Sequence, residues 1–258
     1  MTEPQFSVIE RLPTYRLVYN AIQNEIMSGR LNVGDRLPSE TSLAEQFGVN
    51  RSTVREGIRL LEESGLVTRS GAGRPRVALP HFLDLASRAS RALILHSVTF
   101  RELWEAAVII EPATAEYAAT RIDEAHLERL AANIAAMEEM VLTVESGGRV
   151  DTDAFVSLDT EFHEIISESA SNRVLALARE PVSRLFIPAG RIMLPRLNTH
   201  RRVLVAHRHI YDALRGHDAP QVHEWMKRHM EDFKRGYDAT GLAIDMALDA
   251  AALGQTAD

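Results

Sequence analysis

The chain has no cysteine, which excludes disulfides and thiolate metal sites and leaves histidine and carboxylates as the available metal ligands. It has no run of about 18 apolar residues and no basic-then-apolar leader. Neither a membrane span nor a secretory signal is expected, and a cytoplasmic location is. Its first 80 residues contain no lysine; their ten cations are all arginine, against nine acidic residues, a balance of +1. The remainder carries −8, so the overall charge of −7 belongs to the C-terminal part. What is present is an ordinary globular composition, 45% hydrophobic and 25% charged over 258 residues, enough for two domains with their own cores.

The most informative stretch runs from Leu37 to Glu56 and reads as a helix-turn-helix. Ser39 can cap a first helix whose apolar face is Leu43, Ala44 and Phe47. Gly48 turns the chain, and Asn50 can cap a second helix running toward Gly65. Val54, Ile58 and Leu61 are spaced by helical turns and form the inner face of that second helix. Arg51, Ser52, Thr53 and Arg55 stay free near its N-terminal end, where a recognition helix meets base edges and phosphates. Two short extended runs then flank a Gly-rich, Arg-bearing tip, Ser70-Gly71-Ala72-Gly73-Arg74, and read as a hairpin wing suited to the DNA backbone or minor groove.

These residues resemble the winged-helix domain of GntR-type bacterial transcription regulators. The match covers roughly Tyr15 to Leu79, through Gly34-Asp35-Arg36-Leu37-Pro38-Ser39-Glu40, Leu43-Ala44, Gly48-Val49, Arg51, Val54-Arg55-Glu56, Leu60 and Gly65-Leu66-Val67. The resemblance implies that Arg51 and Arg55 contact DNA and that Gly73 sits at the wing tip used in the minor groove, with Arg74 beside it. Many relatives have Arg directly after the Ser-Glu pair; this chain has Thr41, so the contact made there has no counterpart. A weakly basic module binds DNA well chiefly as a pair, which leads us to expect a homodimer.

Beyond Val77-Ala78-Leu79-Pro80-His81 every segment is helical in pattern, giving a mainly α chain: a winged helix-turn-helix over 1–79, an all-helical bundle over 80–240, and a tail over 241–258. Seven helices are predicted, at 82–95, 99–121, 123–146, 151–170, 172–194, 199–216 and 218–240. Their stops are Gly147-Gly148, Ser171-Asn172, the stretch from Pro195 to Asn198, and Gly216 to Pro220. Pro181 and Pro188 predict a kinked or split fifth segment. The tail after Gly241 reads equally as an Ala-rich helix or a frayed end.

Four residues of the bundle stand out. Asp159 and His163 are four apart and share one face of a helix; His207 and His229 lie on the next two helices to follow the fifth segment, which can run antiparallel and deliver both imidazoles into one core. One carboxylate and three imidazoles suit a divalent transition metal, Zn, Ni, Mn, Co or Fe. The surroundings resemble the ligand-binding half of the FCD branch of GntR regulators. The matches are Glu102-Leu103-Trp104-Glu105 with Glu111-Pro112-Ala113, Asp159-Thr160-Glu161-Phe162-His163 with Asn172, His207-Arg208-His209-Ile210, and Met226-Lys227-Arg228-His229. The resemblance implies that all four residues ligate the ion. His209 points to another face, and His81, His96, His126, His200, His217 and His223 are expected at the surface.

Relatives that sense small carboxylates commonly have Arg at the position of Ala107, where the guanidinium pairs with the effector. Arg101, Arg184 and Arg191 are the weak substitutes available here, and Arg101, six residues from Ala107, is on a different helical face. The expected function is a metabolite-responsive repressor: an effector, possibly a carboxylate, bound beside the metal would repack the bundle, change the separation of the two DNA heads and release double-stranded operator DNA. A metal-sensing regulator, with the ion itself as effector, is one alternative. A metal-dependent hydrolase is another, weakened by the lack of a nucleophile or base beside the metal residues: Glu164 points away from His163 by about 100° around the helix.

Overall fold

Short polar side chains set the ends of the first helices. Residues 12–69, 71, 73–80 and 82–248 are described by a computed structural model, with the side chains of Phe82 and Leu83 excepted. Contacts divide the chain into two units, Met1–Asp84 and Leu85–Asp258. In the first, α1 is Thr14–Met27, α2 Glu40–Phe47 and α3 Arg51–Glu63. Ser39 Oγ accepts a hydrogen bond from the Ser42 amide at 3.1 Å, and Asn50 Oδ1 one from the Thr53 amide at 2.9 Å, so both helices start on the caps read from sequence. Gly48 closes α2 at φ 65°, in the left-handed region that favours glycine.

Val18 and Ile22 of α1 pack with Leu37, Leu43, Val54, Ile58 and Leu61 into one apolar core. Gly57 lets α1 and α3 approach: a Cβ there would lie 2.8 Å from Val18 Cγ1 and 3.0 Å from the Tyr15 carbonyl oxygen. The wing is an antiparallel pair, β1 (Val67–Thr68) and β2 (Arg76–Val77), in register Val67 to Val77 and Thr68 to Arg76. Arg36 bridges to Arg76 on the other side, and the Arg76 guanidinium donates to the Gly34 carbonyl at 2.8 Å. The buried and exposed positions alternate, so Val67 and Val77 face the core while Thr68 and Arg76 face solvent.

After the wing the described residues form seven helices, α4 (Phe82–Leu95), α5 (Phe100–Ala119), α6 (Glu124–Glu145), α7 (Thr152–Ser169), α8 (Arg173–Leu197), α9 (His200–Arg215) and α10 (Ala219–Ala239), the last six wholly within the second unit. Thr99 and Glu102 form a reciprocal capping box on α5. Helix α5 packs against α10, α8 and α7, which places it at the heart of the bundle. The main core joins Phe155, Phe162, Ile165 and Ile166 of α7 to Leu130 and Met137 of α6 and to Ile210 and Leu214 of α9.

Two expectations change. The Pro195 to Asn198 stretch does not stop α8 at 194; the helix runs to Leu197 as one unsplit element with Pro181, Pro188 and Pro195 inside it, and Asn198 ends it at φ 48°. Each proline removes a single i−4 hydrogen bond, and their seven-residue spacing puts all three on one side. The tail from Gly241 to Leu248 is not helical. Its Ile244 carbonyl accepts from the Arg101 amide at 3.0 Å, its Leu248 amide donates to the Val98 carbonyl at 2.9 Å, and Asp245 pairs with Arg101. The Ile244 contact occupies a donor that the first turn of α5 leaves free. Residues 249–258 and His81 lie outside the described residues.

Candidate DNA-reading surface and metal centre

Arg51 and Ser52 are exposed at the first turn of α3, with Thr53 half-buried beside them. The Ser52 and Thr53 hydroxyls both donate to Asn50 Oδ1, each at 2.7 Å, so they reinforce the cap that presents the helix end. Arg55 is largely exposed and lays its guanidinium on Glu40, with Nη2 2.8 Å from Oε2. The Arg55 hydrogen bond pulls the Glu40 carboxyl below its ordinary range, with Arg69 and Arg51 adding to the effect. Gly73 and Arg74 are exposed between β1 and β2. Ser70 and Ala72 of the wing tip lie outside the described residues.

The four residues singled out in the bundle come together. Asp159 and His163 project from α7, His207 from α9 and His229 from α10, and one ligand atom from each lies within 4.8 Å of all the others. The three imidazoles are buried, and Asp159 is partly exposed. His163 Nε2 and His229 Nε2 are 3.3 Å apart, and His207 Nε2 is 3.3 Å from Asp159 Oδ1. Phe162 stacks flat on His207, with ring centroids 3.8 Å apart, and fixes the ring plane.

A carboxylate behind the cluster fixes which nitrogen of His163 points forward. Glu111 of α5, buried, accepts from His163 Nδ1 at 3.2 Å, and Arg179 of α8, also buried, donates its Nε–H to the other Glu111 oxygen at 2.7 Å. Burial pushes the Glu111 carboxyl up, but the Arg179 guanidinium and His163 outweigh it and hold it at about 2. An ionised carboxylate only accepts, so the His163 proton sits on Nδ1 and, in the neutral ring, Nε2 offers its lone pair to the cluster. Burial also pushes His229 down, to about 3, helped by His207 and His163. His207 is lowered by burial, with Asp159 opposing. Burial raises Asp159, yet the neighbouring imidazoles, His207 first, hold it well below the usual carboxylate range.

The donors fit a metal ion. His207 Nε2 and Nδ1 are buried and make no well-formed hydrogen bond among the described residues, Nε2 meeting only the Asp159 oxygen at 3.3 Å, an expensive state that an ion would relieve at Nε2. The 3.3 Å between His163 and His229 Nε2 admits a hydrogen bond when His229 carries its proton on Nε2, and it equally suits two nitrogens each about 2.1 Å from a shared ion.

A cavity of about 60 Å³ adjoins the cluster, bounded by Glu111, Asp159, His163 and His229 and otherwise mainly by apolar side chains of α7, α8 and α10 such as Phe155, Val156, Phe186, Ile187, Met193 and Phe233. Ala107 lines it too. The three arginines considered as effector anchors do not. Arg101 holds Asp245, Arg184 holds Glu180 and Ser87, and Arg191 holds Asp153. His200, expected at the surface, is instead buried, its ring meeting Phe155 edge-on with centroids 4.7 Å apart. Glu111 and Arg179 were given no role from sequence. A lone acid after Ala106-Ala107-Val108-Ile109-Ile110 is a legible sign of a buried carboxylate, whereas nothing local marks Arg179.

Comparison with known proteins finds a match for each half of the chain. The FCD domain pattern matches residues 102–232, and the pattern described as bacterial regulatory proteins, gntR family, matches residues 14–77. The chain belongs to the GntR family, with an FCD domain. It is a transcription regulator, and the family and its relatives are not enzymes. The GntR regulators it resembles include HTH-type transcriptional regulator LutR of Bacillus subtilis (strain 168), 28% identical over 82% of this chain and 97% of LutR. The Glc operon transcriptional activator of Escherichia coli (strain K12) is 27% identical over 68% of each chain. HTH-type transcriptional repressor NanR of Escherichia coli (strain K12 / DH10B) is 24% identical over 87% of this chain and 84% of NanR. Among solved structures, Streptococcus agalactiae GntR shares the fold, with a TM-score of 0.55 at 22% identity over 86% of this chain and 99% of that one. No described helix is long and apolar enough to cross a membrane.

Proposed function

We propose that this GntR regulator is a homodimeric repressor that reads operator DNA with Arg51, Ser52, Thr53 and Arg55 of α3 and with Gly73 and Arg74 of the wing. Its domains divide at 79/80, and it releases DNA when a small molecule enters the cavity beside a metal ion. Asp159, His163, His207 and His229 would hold a divalent transition ion, Zn, Ni, Mn, Co or Fe. Such an ion supplies a fixed positive charge at the cavity wall. His163 is oriented by Glu111, His207 by Phe162, and the apolar walls exclude water from the ligand's remainder. A regulator of operator DNA works in the cytoplasm, where the chromosome is.

The observation that carries this reading is the juxtaposition of a buried donor cluster with orphaned nitrogens and an apolar cavity. A regulator that sensed the ion alone would need the cluster and not the cavity, which favours an organic effector. Relatives include both an activator and repressors by name, so the family leaves the sign open; a coupling of about 1–3 kcal/mol between cavity and DNA is enough for either. Purified protein is expected to carry about one transition-metal ion per protomer by elemental analysis. Content should fall sharply in His229→Gln and vanish in a variant combining Asp159→Asn, His163→Ala, His207→Ala and His229→Ala. Equal metal in wild type and the quadruple variant would show that the ligands lie elsewhere.

A further inference from the structure

Contacts from Arg202 to Asp232 and from His209 to Trp225 show that α9 and α10 run antiparallel. On their solvent side lies an open groove of about 470 Å³, within the size range of pockets that hold drug-sized molecules. It shares only His229 with the cavity beside the metal cluster and is a separate space. One end is cationic. Arg202 Nη2 and Arg235 Nη2 both donate to Asp232 Oδ1, the latter at 2.8 Å. Burial raises the Asp232 carboxyl, but these two guanidiniums outweigh it and keep it ionised, so two positive charges meet one negative charge. The Nε–H and Nη1 donors of both arginines make no hydrogen bond among the described residues. The other two arginines of the groove, Arg201 and Arg228, each have a carboxylate of their own outside its lining, Glu145 at 2.5 Å and Glu224 at 2.7 Å. The surplus charge therefore sits at the Arg202–Arg235 end. The floor, by contrast, is apolar. Val205, 41% exposed, and Ala206 form it on α9, and Trp225 lines it on α10, ten residues and about 15 Å along the helix from Arg235. The Trp225 ring is held in place by His209, stacked flat with centroids 3.9 Å apart, and by Arg228, 5.2 Å over it.

We infer that this groove binds an amphipathic organic anion, its acid group between Arg202 and Arg235 and its apolar body over Val205 and Ala206 toward Trp225. Guanidinium donors pair with carboxylate, sulfonate and phosphate oxygens alike, so the shared chemistry is an oxyanion on an apolar frame. A neutral apolar ligand would leave the free donors unused, and a long polyanion would need unpaired cations along the whole groove, where the surplus lies at one end. Covering Val205 and the indole contributes about 25 cal/mol per Å² of apolar surface removed from water, a gain that a small inorganic anion cannot collect. None of these contacts uses a metal ion, so the inference stands apart from the metal reading proposed above.

Three probes separate the two features: naphthalene-2-sulfonate carries both, methanesulfonate only the anion, and naphthalene-2-sulfonamide only the apolar body. Calorimetric titration into purified full-length protein is expected to show naphthalene-2-sulfonate binding about ten-fold tighter or more than either of the others. In Trp104→Phe, where Trp225 is the sole tryptophan, its fluorescence should change as that probe binds. Combining Arg202→Gln with Arg235→Gln should weaken binding about ten-fold or more, and so should Val205→Glu, which sets a like charge on the floor at an exposed position; melting temperatures of the same samples check that both variants fold. His163→Ala, which leaves the groove lining untouched, should bind the probe as the wild type does. Equal affinity of the wild type for the sulfonate and the sulfonamide overturns the inference, as does failure of the sulfonate to bind. Binding lost in His163→Ala and kept in the arginine variant would put the probe in the cavity instead and overturns it too.

Discussion

The two units of this regulator handle polar groups in opposite ways. In the described part of Met1–Asp84 every buried residue is apolar, glycine or proline, and the arginines stand at the surface in exposed pairs such as Arg55 with Glu40. In Leu85–Asp258 a glutamate, an arginine and four histidines are buried, five of those six in or beside the cluster around Asp159, with His200 apart from it. DNA is a large external polyanion, so a reading surface needs charge displayed and a core that merely holds it rigid. A small ligand must be surrounded, so its recognition groups have to be desolvated, and each then needs a partner or an ion. Buried polarity therefore marks the sensing half, and its absence marks the reading half.

Acid should break this contrast most visibly. Glu111 has its folded value lowered from 4.5 to about 2, so the stability it contributes is present above 4.5 and lost as pH falls toward 2. His229 is lowered from 6.5 to about 3; the folded state binds fewer protons than the unfolded one between these values, so stability is full above 6.5 and lost as pH falls through the window. Metal-free sensor helices should therefore melt progressively earlier below about pH 6.5, while the reading unit, with no buried titratable side chain among its described residues, holds. Circular dichroism melts across pH, with and without metal, check this; a sensor unit as acid-resistant as the reading unit would contradict the burial argument.

The next effect in size concerns the Arg179–Glu111 pair. Removing one partner leaves a buried charge uncompensated, so Arg179→Met should destabilise the bundle by about 3–5 kcal/mol in denaturant unfolding. The double variant with Glu111→Gln should recover part of that loss, because no unpaired charge remains. Additive losses would mean that the two residues do not act as a pair. Smallest should be the effects on the surface of the reading unit. Arg51→Ala or Arg55→Ala should weaken operator binding by about 5- to 150-fold at fixed salt, with melting temperature unchanged. Full operator affinity in both variants would remove α3 as the reader.

Much of the site was legible because local spacing carried it. Asp159 and His163 are one turn apart on any helix, and His207 and His229 sit on helices separated by a visible break at Gly216 to Pro220. The caps Ser39 and Asn50 and the turn at Gly48 act within three or four residues, so the helix-turn-helix could be read directly. His200 could not: its position beside Arg201 and Arg202 suggests solvent, and only the way α9 starts against Phe155 buries it. The end of α8 was placed three residues early, at 194 instead of Leu197, since proline weakens a helix locally but packing along its length decides whether it continues.

Sequence alone determined what is set by nearest neighbours along the chain: the caps and faces of α2 and α3, the order of the helices, the residue types able to ligate a metal without cysteine, and the charge split of +1 and −8. Tertiary structure alone decided what depends on residues far apart meeting: that Glu111, 52 residues from His163, sets the tautomer of that ligand; that Arg179, 68 residues from Glu111, neutralises it; and that the cavity beside them lacks any lysine or arginine among its described lining. The reason is physical. A helix face is dictated by bonds three and four residues apart, whereas desolvation, and with it the charge state and partner of every buried group, is a property of the whole fold around it.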